Sequence, residues 1–576
     1  MLPGTFFPFG EVKRMRRAVR FDNQEIKKML KKVDTTQVHV VHYLRNYDNG
    51  SITENGAVGY KTSGQPLLDL NFQVSSLRDR TEKYIVDAFI PAFYQDRKYA
   101  VKWLFFLRDI MEGMGERRTF RVCMKYLAIS QPQIALAVMK LVPEYGRYDD
   151  LLVYLDTPLC EEACAFIKEQ LTQDEADMAC GKLISLLAKW LPSINTSSAE
   201  SRRYAGILAK KLKLSPKEYR KKLSVLRSYL KVVEVKLSSS QWEQIVYEEV
   251  PAKAQLKYDK AFVRHDAERR IEYLKKVYLG EGKLNANGLM PYEIVHRVMG
   301  DGYGLTALKD DLLAELMWQK IAEEGFRNEW GLENCIVVAD GSGSMYSTVT
   351  GSTNIRAIEV CDSLAIYFAE QLQGVFHNKA ITFSGRPKFI DLEQGNNLKE
   401  KLEIMLAHNE VANTNIEAVF DMLLSMAVSN QVPAEELPEQ VLVISDMEFD
   451  SATRSGGSWN NRGCAWKRFD EPLFQQIAEK YKQAGYTMPR LVFWNVCGRT
   501  DTIPMVDNES GICLLSGFSQ NAMKVAAQKE KQDPYLSLLQ VLDSPRYDRV
   551  EEALKSAYIK IREHCSVFYN HLCIWL

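Results

Sequence analysis

The stretch "CIVVADGSGSMYS", residues 335–347, is an apolar run that ends in an acid and then alternates glycine with serine. Its first five residues are small or β-branched and predict a buried strand. Asp340 follows the run directly, and Gly341 and Gly343 let the backbone bend closely after it. A segment of this composition is also a common flexible turn. Other parts of the chain decide between these two interpretations.

After about residue 330, short β-rich runs alternate with segments of helical spacing. The runs are CIVVA (335–339), KAITF (379–383), QVLVIS (440–445), RLVFWNV (490–496) and GICLLSG (511–517), and a last helical segment is expected over 519–531. This alternation predicts a mostly parallel, doubly wound α/β sheet with helices on both faces. In such sheets the ligand site lies at the carboxyl ends of the strands, where the strand order reverses.

The ends of two predicted strands carry carboxylates. Asp446 closes the run 440–445 as Asp340 closes 335–339. If the two strands are neighbours, the carboxylates approach each other and repel unless a cation joins them. Hydroxyl groups on the same loops can face that cation, and an all-oxygen set favours Mg²⁺ (or Mn²⁺) over Zn²⁺. The predicted ligands are Asp340, Ser342, Ser344, Thr414 and Asp446.

Catalysis is the competing interpretation of the same serines. Gly341-Ser342-Gly343 lacks the GxSxG spacing, and neither His377 nor His408 has an acid partner in a triad order. No hydrolytic base is evident for a metal-dependent hydrolase either, and an ion held by hydroxyls acidifies water poorly. We therefore predict no catalytic residue and a non-enzymatic protein.

The first part of the chain has a different pattern. From about residue 80 to 325, apolar residues recur at three- and four-residue steps, which predicts successive amphipathic helices that must stack into a HEAT-like α-helical array. Residues 50–75 are rich in Gly and Ser and predict an irregular loop. A chain of 576 residues exceeds what one core organises. We predict a helical domain over 1–330 and an α/β domain over 331–576.

Formal charge differs between these two parts. The net charge is zero, but residues 331–576 carry −9 and residues 1–330 carry +9. Residues 202–236 hold twelve basic and two acidic residues, and Tyr204, Tyr219 and Tyr229 lie between the basic ones. Such a segment can follow a phosphate backbone and stack bases. The candidate RNA-binding residues are Arg202, Arg203, Lys210, Lys211, Lys213, Arg220, Lys221, Lys222 and Arg227.

Charge runs of this kind are also typical of a solvated helix face balanced by acidic neighbours. The acidic segment 160–180 or the acidic α/β domain would supply those neighbours. In the same way, Arg108, Asp109, Glu116 and Arg117 in "RDIMEGMGERRTF" (108–120) favour ion pairs buried between helices over catalysis.

Several classes of protein are disfavoured by composition. No apolar run approaches the roughly 20 residues that a membrane span needs, and the N-terminal pattern is not that of a secretory signal. The eleven cysteines include no CxxC pair, which favours free thiols in a reducing compartment. We expect a cytoplasmic protein that does not enter a membrane.

The predicted metal ligands carry a family resemblance. "DGSGS" after an apolar strand, with Thr414 and Asp446 in two further loops, resembles the metal-ion-dependent adhesion site of von Willebrand factor A domains. The resemblance implies one divalent ion with an open position for an acidic group of a partner. It covers residues 331 to about 530 and implies the same five ligands as the pattern of residues.

A second resemblance covers residues 50–530. The stretches LRDIMEGMGERRTF (107–120), WLPSINTSS (190–198), YRKKLSVLRSYLKVVE (219–234), SDMEFD (445–450), AGYTMPRLVFWNV (484–496) and LLSGFSQNAM (514–523) resemble an uncharacterised bacterial and plant family that joins a helical region to an A domain. That family is similar in layout to the Ro autoantigen (TROVE) proteins, in which a ring of helical repeats closed by an A domain binds small non-coding and misfolded RNAs.

The resemblance implies a Ro-like, non-enzymatic binding protein with RNA as its partner, and an array that could close into a ring. No Ro motif for RNA aligns in the helical part, so the candidate basic residues rest on charge alone. The alternative is a metal-dependent protein-interaction scaffold in which a protein partner supplies a carboxylate to the ion and no nucleic acid binds.

Overall fold

A computed structural model describes residues 50–52, 58–230, 232–300, 302, 305–327, 334–349, 352, 354–409, 414–447, 471–497, 512–525 and 534–557. The described residues from Ile52 onward belong to one compact unit. Helices dominate this unit up to residue 327, and a six-stranded sheet with its helices follows. The predicted order of a helical array before an α/β sheet is therefore confirmed.

Two short strands, β1 (Gly50–Ile52) and β2 (Val58–Tyr60), precede the helices. The helices of the first region are α1 (Pro66–Phe72), α2 (Val74–Leu77), α3 (Glu82–Gln95), α4 (Arg97–Arg108), α5 (Arg118–Ser130), α6 (Pro132–Met139), α7 (Val142–Tyr145), α8 (Cys160–Ala179), α9 (Leu187–Trp190), α10 (Ala199–Lys211), α11 (Pro216–Tyr229), α12 (Val233–Ser238), α13 (Ala252–His265), α14 (Ala267–Tyr278), α15 (Pro291–Met299) and α16 (Leu312–Arg327). A 3₁₀ helix, Tyr148–Asp156, lies between α7 and α8.

Local sequence explains where these helices begin. The Thr81 side chain accepts a hydrogen bond from the Tyr84 amide at the start of α3, and Asp96 caps α4 in the same way. At α11, Ser215 and Glu218 form a reciprocal capping box, with Pro216 at the first helical position. These caps satisfy amide groups that have no partner within the helix.

The α/β region contains β3 (Cys335–Ala339), α17 (Ala357–Gln371), β4 (Lys379–Thr382), β5 (Phe389–Asp391), α18 (Leu398–His408), α19 (Ile416–Asn430), β6 (Gln440–Ser445), α20 (Glu471–Gln483), β7 (Arg490–Asn495), β8 (Ile512–Ser516) and α21 (Pro534–Leu542). The strand order is β5-β4-β3-β6-β7-β8, and all pairs are parallel except β4 with β5. This is the doubly wound order, with the switch point between β3 and β6.

Helix α17 lies at the centre of the molecule. Every residue from Ala357 to Gln371 is buried, because the helix packs on β3 and β6 and also against α15 and α16 of the helical region. A helix covered on several sides cannot keep a solvated polar stripe. Its acidic residues are therefore enclosed in protein.

Buried hydrogen bonds join the helical region to the carboxyl edge of the sheet. The Ser75 hydroxyl donates to the Asn495 carbonyl (2.8 Å) and lies 2.5 Å from the Ser516 hydroxyl. The Ser519 hydroxyl donates to the Gly113 carbonyl (2.8 Å). The ends of β7 and β8 are thus closed by segments that lie more than 400 residues earlier in the chain.

Two predictions about local structure are wrong. The segment 50–75 contains helix α1 and not only loop, because Leu67, Leu70 and Phe72 form a buried apolar face that outweighs the Gly and Ser around it. The expected helix over 519–531 is a 3₁₀ helix at Gln520–Val525 in the described residues. Residues 526–531 of that prediction lie outside the described ranges.

Candidate functional site

The loop after β3 folds back on its own carboxylate. Asp340 is 1% exposed, and its Oδ1 accepts a hydrogen bond from the Ser342 amide (2.9 Å). Its Oδ2 accepts from the Ser445 hydroxyl (2.5 Å), the last residue of β6. The Ser342 and Ser344 hydroxyl oxygens lie 3.0 Å apart. One amide and one hydroxyl group therefore bond to this buried carboxylate, and a pair of hydroxyls follows it in the loop.

The other two predicted ligands begin or end neighbouring elements. Asp446 follows β6 directly and is 1% exposed. Because Ala339 pairs with Ile444, Asp340 and Asp446 leave adjacent parallel strands at the same edge. Thr414 is buried two residues before α19, whose N-cap Asn415 accepts from the Ala418 amide. Asp340 and Asp446 thus follow strands, Thr414 precedes a helix, and Ser342 and Ser344 lie at the start of the 3₁₀ helix Gly343–Tyr346.

The pKa of the Cys361 thiol depends on the carboxylates around it. Burial raises the pKa of this thiol well above its ordinary value, and the negative charges of Asp362, Asp340 and Asp446 raise it further. Both predicted acidic ligands therefore lie close to one buried side chain. Asp362 is a third carboxyl in this neighbourhood that the sequence pattern did not single out.

Asp362 lies within α17 and is fully buried. Burial, followed by the negative charge of Glu359, raises its pKa to about 8, and the nearby Asn409 side chain partly opposes this shift. Glu359 itself is paired with Arg356 (2.6 Å) and with His296 (2.8 Å) of the helical region. No cation is paired with Asp362 in the described part of the chain.

Gly341 is required by close packing. A Cβ atom at this position would overlap the Asn409 side chain and lie 3.0 Å from its Cα. Asn409 follows α18, so the loop after β3 and the end of α18 approach each other closely. The absence of a side chain at Gly341 lets the Asp340 loop pack closely against Asn409.

The donor set fits a hard divalent cation better than a soft one. Within the described ranges, no group of three or more His, Cys, Asp and Glu side chains is placed to hold a metal ion. The predicted site depends instead on two carboxylates and three hydroxyls, which are oxygen ligands of the kind Mg²⁺ and Mn²⁺ accept. Zn²⁺ would lack the nitrogen or sulfur ligands that it usually takes.

The two histidines weighed for catalysis make other contacts. His377 bonds through Nδ1 with the Leu372 carbonyl (2.9 Å) and through Nε2 with the Asn378 amide group (2.9 Å). His408 bonds through Nδ1 with the Ile404 carbonyl (2.8 Å). Both rings are bonded within their own segments of chain.

The basic segment 202–236 forms α10, α11 and the start of α12. Many of its charges meet acidic residues, as the solvated-face alternative expects. Lys211 pairs with Glu161 and Lys222 with Glu175 (2.6 Å), both on the acidic helix α8. Arg203 pairs with Asp156 (2.6 Å). Arg202, Arg227 and Lys236 donate to backbone carbonyls instead.

Five basic side chains of this segment are exposed and have no partner among the described residues. We call them the unpaired basic set: Lys210, Lys213, Lys217, Arg220 and Lys221. Lys217, Arg220 and Lys221 recur at helical spacing on one face of α11. Lys217 was not among the nine candidates, although its spacing from Arg220 could have identified it.

The tyrosines of the segment have structural roles. Tyr219 is 1% exposed and donates to the Pro192 carbonyl (3.0 Å), so it cannot stack on a base, contrary to the prediction. Tyr204 donates to Asp156 (2.7 Å), and Tyr229 donates to the Lys182 carbonyl (2.8 Å). Burial excludes Tyr219 from stacking, whereas the ring of Tyr229 is 37% exposed.

Most of the chain is similar to known protein families. A family model described as a domain of unknown function (DUF2828) matches residues 53–163 and 159–328, and a second (DUF7788) matches residues 334–554. Neither description assigns an activity. Neither family model is described as a von Willebrand factor A domain, so that resemblance stays a prediction.

Two individual proteins are similar to this chain. The uncharacterized protein L728 of Acanthamoeba polyphaga mimivirus is 29% identical over 537 residues, which cover 86% of this chain and 87% of that protein. The crystal structure of the Ro (RSR) protein of Deinococcus radiodurans aligns with 79% of this chain and 92% of its own, at 13% identity and a TM-score of 0.33. Among the described residues, no helix is long and apolar enough to cross a membrane.

Proposed function

We propose that this chain is a non-enzymatic binding protein that holds RNA on the unpaired basic set and one Mg²⁺ or Mn²⁺ ion at the carboxyl edge of β3 and β6. The observation that carries the RNA proposal is the group of five exposed basic side chains on α10, on α11 and between them, with no acidic partner among the described residues. Unpaired charges cost less to redirect toward a phosphate, because paired ones must first leave their carboxylates.

Paired and unpaired lysines of the same helices provide a matched experiment. Removing two unpaired charges, with Lys210→Ala and Lys221→Ala together, should weaken RNA binding about equally for different RNA sequences. The slope of log K against log salt should fall by about 0.7 for each phosphate of a single strand that the variant no longer neutralises. Electrophoretic mobility shifts with a small structured RNA and an unstructured oligonucleotide, at several salt concentrations, measure both effects.

The control removes two paired charges from the same helices, with Lys211→Ala and Lys222→Ala together. This variant should lose less affinity, since Glu161 and Glu175 already hold those lysines. Equal losses in the two double variants would contradict the assignment to the unpaired basic set. Wild-type protein that binds neither RNA would overturn the RNA proposal itself.

The metal part of the proposal is tested separately. Mg²⁺ should raise the melting temperature of the wild-type chain, because a ligand that binds only the folded state stabilises it. Asp340→Ala and Asp446→Ala should each abolish that rise, while Glu435→Ala, which removes an exposed acid of the same region, should keep it. A Mg²⁺-dependent rise that survives in both aspartate variants would rule out this site.

A protein-interaction scaffold is the second candidate. It is favoured by the number of basic residues already paired with α8, which leaves a smaller positive surface than the sequence suggests. In that case the bound ion would accept a carboxylate from a protein partner, and the chain would bind no RNA. Mg²⁺-dependent capture of a carboxylate-bearing peptide, with no RNA binding at low salt, would favour the scaffold.

A further inference from the structure

Four charged residues of the segment 108–120 were predicted to form buried ion pairs, and one of them, Arg117, forms none among the described residues. Three of the four charged residues singled out there do form buried or half-buried pairs, as predicted. The pairs are Arg108–Asp150 (2.8 Å), Asp109–Arg546 (2.8 Å) and Glu116–Arg78 (2.7 Å). Arg117 differs, since its exposed side chain has no hydrogen-bond or ion-pair partner among the described residues.

Arg117 and Arg121 are four residues apart at the start of α5, where the Arg121 amide donates to the Arg117 carbonyl (3.0 Å), so their side chains leave the same face of the helix. Partial burial lowers the pKa of the Arg117 guanidinium, and the positive charges of Arg121 and Arg147 lower it further. Like charges at close range repel, so this grouping needs an explanation in the local charge balance. The nearest carboxylates, Asp149 and Asp150, are already engaged by other arginines.

The charge balance around these residues is positive. Asp150 accepts from Arg108 Nε (2.8 Å) and from Arg121 Nε (2.6 Å). Asp149 Oδ2 lies 2.9 Å from a terminal nitrogen of Arg121 and 2.9 Å from one of Arg147. With Arg117, four guanidinium groups therefore share two carboxylates. We call the four arginines the arginine cluster, and its surplus is two positive charges.

Neighbouring groups hold the cluster rigidly. The guanidinium of Arg147 lies 4.1 Å above the ring centre of Trp190, which fixes its plane. A Cβ atom at Gly146 would lie 2.6 Å from Asp150 Oδ2 and 2.9 Å from Arg108 Nε, so only glycine allows this approach. The buried half of the cluster is thus preassembled, and an anion would need to order only Arg117.

Helix α5 begins at the arginine cluster. Arg117 is its N-cap residue and makes no capping hydrogen bond with its own side chain, the Glu116 carboxylate accepts from the Arg118 amide (3.0 Å), and the first turn contains no acidic residue. The Thr119 hydroxyl in that turn is fully buried and has no hydrogen-bond partner among the described residues. A helix N-terminus carries partial positive charge and favours anions, and the adjacent guanidinium groups favour them far more strongly.

We propose that the arginine cluster binds a phosphate group, with Arg117 as its exposed clamp and Arg121 and Arg147 as its fixed base. Two surplus positive charges match a phosphate better than a carboxylate, and guanidinium groups bind phosphate oxygens in a planar, two-bond geometry. The phosphate could belong to RNA, in which case the site deepens the proposed function, or to a small free phosphate compound.

Inorganic phosphate is the first probe. Against sodium chloride of equal ionic strength, phosphate at about ten times its Kd should raise the melting temperature of the full chain by roughly 1–3 °C. Arg117→Ala should lose this rise. Arg264→Ala removes an equally exposed arginine with no partner among the described residues and should keep it. Absence of a specific rise, or its persistence in Arg117→Ala, would overturn the site.

Paired RNA probes distinguish the source of the phosphate. A 12-nucleotide RNA with a 5′-phosphate should bind the wild type more tightly than its 5′-hydroxyl form if the cluster takes an RNA end, and Arg117→Ala should remove that preference. Equal binding of the two RNAs, with the phosphate-specific melting shift intact, assigns the site to small phosphate compounds.

The two proposals fail in different ways. If the wild-type protein binds no RNA but phosphate still raises its melting temperature, the proposed function is rejected and the phosphate site is kept. If RNA binding depends on Lys210 and Lys221 but phosphate does not raise the melting temperature, the proposed function is kept and the phosphate site is rejected.

Discussion

The Asp362 carboxyl is a buried acid that no positive side chain neutralises in the described part of the chain. Its pKa, raised to about 8, keeps it protonated at neutral pH in the folded state, while the unfolded carboxyl ionises near its ordinary value of 3.8. The contribution of this carboxyl to folding stability is therefore fully present below about pH 4 and is lost as pH rises toward 8.

Asp362→Asn should remove this dependence on pH. In metal-free buffer, the melting temperature of the variant should exceed that of the wild type by an amount that grows between pH 4 and pH 8 and is constant above. Asp421→Asn, at a half-exposed carboxyl paired with Lys480, is the control and should show no such growth. A constant difference across the range for Asp362→Asn would refute the argument.

Gly341 offers a second test at the scale of one residue. Gly341→Ala forces the Asp340 loop away from Asn409 and should cost about 1–3 kcal/mol, as overpacking does in other cores. It should also weaken Mg²⁺ stabilisation, since Ser342 and Ser344 move with the loop. Gly206→Ala is the control and should not lower the melting temperature, because a Cβ there would meet nothing within 4 Å and its φ lies outside the left-handed region. An unchanged melting temperature and Mg²⁺ response would show that the overlap is easily relieved.

The predicted ligands and Asp362 show how far sequence alone reaches at this scale. Asp340, Ser342 and Ser344 could be predicted because strand, acid and hydroxyls follow each other within ten residues. Asp362 could not, because "IEVCDSLAIYF" has the pattern of a helix with one solvated face. Its burial arises from α15 and α16, which cover the face that the sheet leaves open. The two partners come from distant parts of the chain.

At the scale of elements, α2 and the end of β8 depend on each other through Ser75. Ser75→Ala should remove the hydrogen bonds that the Ser75 hydroxyl makes with the Asn495 carbonyl and the Ser516 hydroxyl, at a cost of about 0.5–1.5 kcal/mol for each bond, since the Gly517 and Ser75 amides still bond to those two groups. Ser76→Ala removes a neighbouring hydroxyl that bonds to the Gln73 carbonyl of the preceding turn and should cost less. Chemical denaturation measures both. Equal costs would mean that the hydrogen bonds between the two regions add no stability.

The strongly periodic elements were predictable, and the short ones were not. The five parallel strands and helices α17, α19 and α20 follow from apolar pattern and length. Strand β5 was missed because it has three residues, lies at the sheet edge and pairs antiparallel with β4. The loop predicted over 50–75 failed because tertiary packing of Leu67, Leu70 and Phe72 outweighs local composition.

For the whole molecule, one compact unit from Ile52 onward predicts cooperative unfolding. Since α17 is shared by the sheet and by α15 and α16, neither part can open alone without exposing it. Hydrogen exchange followed by mass spectrometry should show peptides of α4 and of β6 losing protection at the same denaturant concentration. Separate transitions, with either peptide exchanging first, would show that the two regions unfold independently.

The hydrogen bonds that close the carboxyl edge of the sheet have a consequence for synthesis. Ser75 and Ser516 are 441 positions apart, and Gly113 and Ser519 are 406 apart. At about 5–20 residues per second, Ser75 leaves the ribosome roughly 20–90 seconds before its partner exists. During that interval the nascent helical region exposes apolar and polar groups that the finished protein buries. The carboxyl edge of the sheet can therefore be closed only after residues 516–519 have been made.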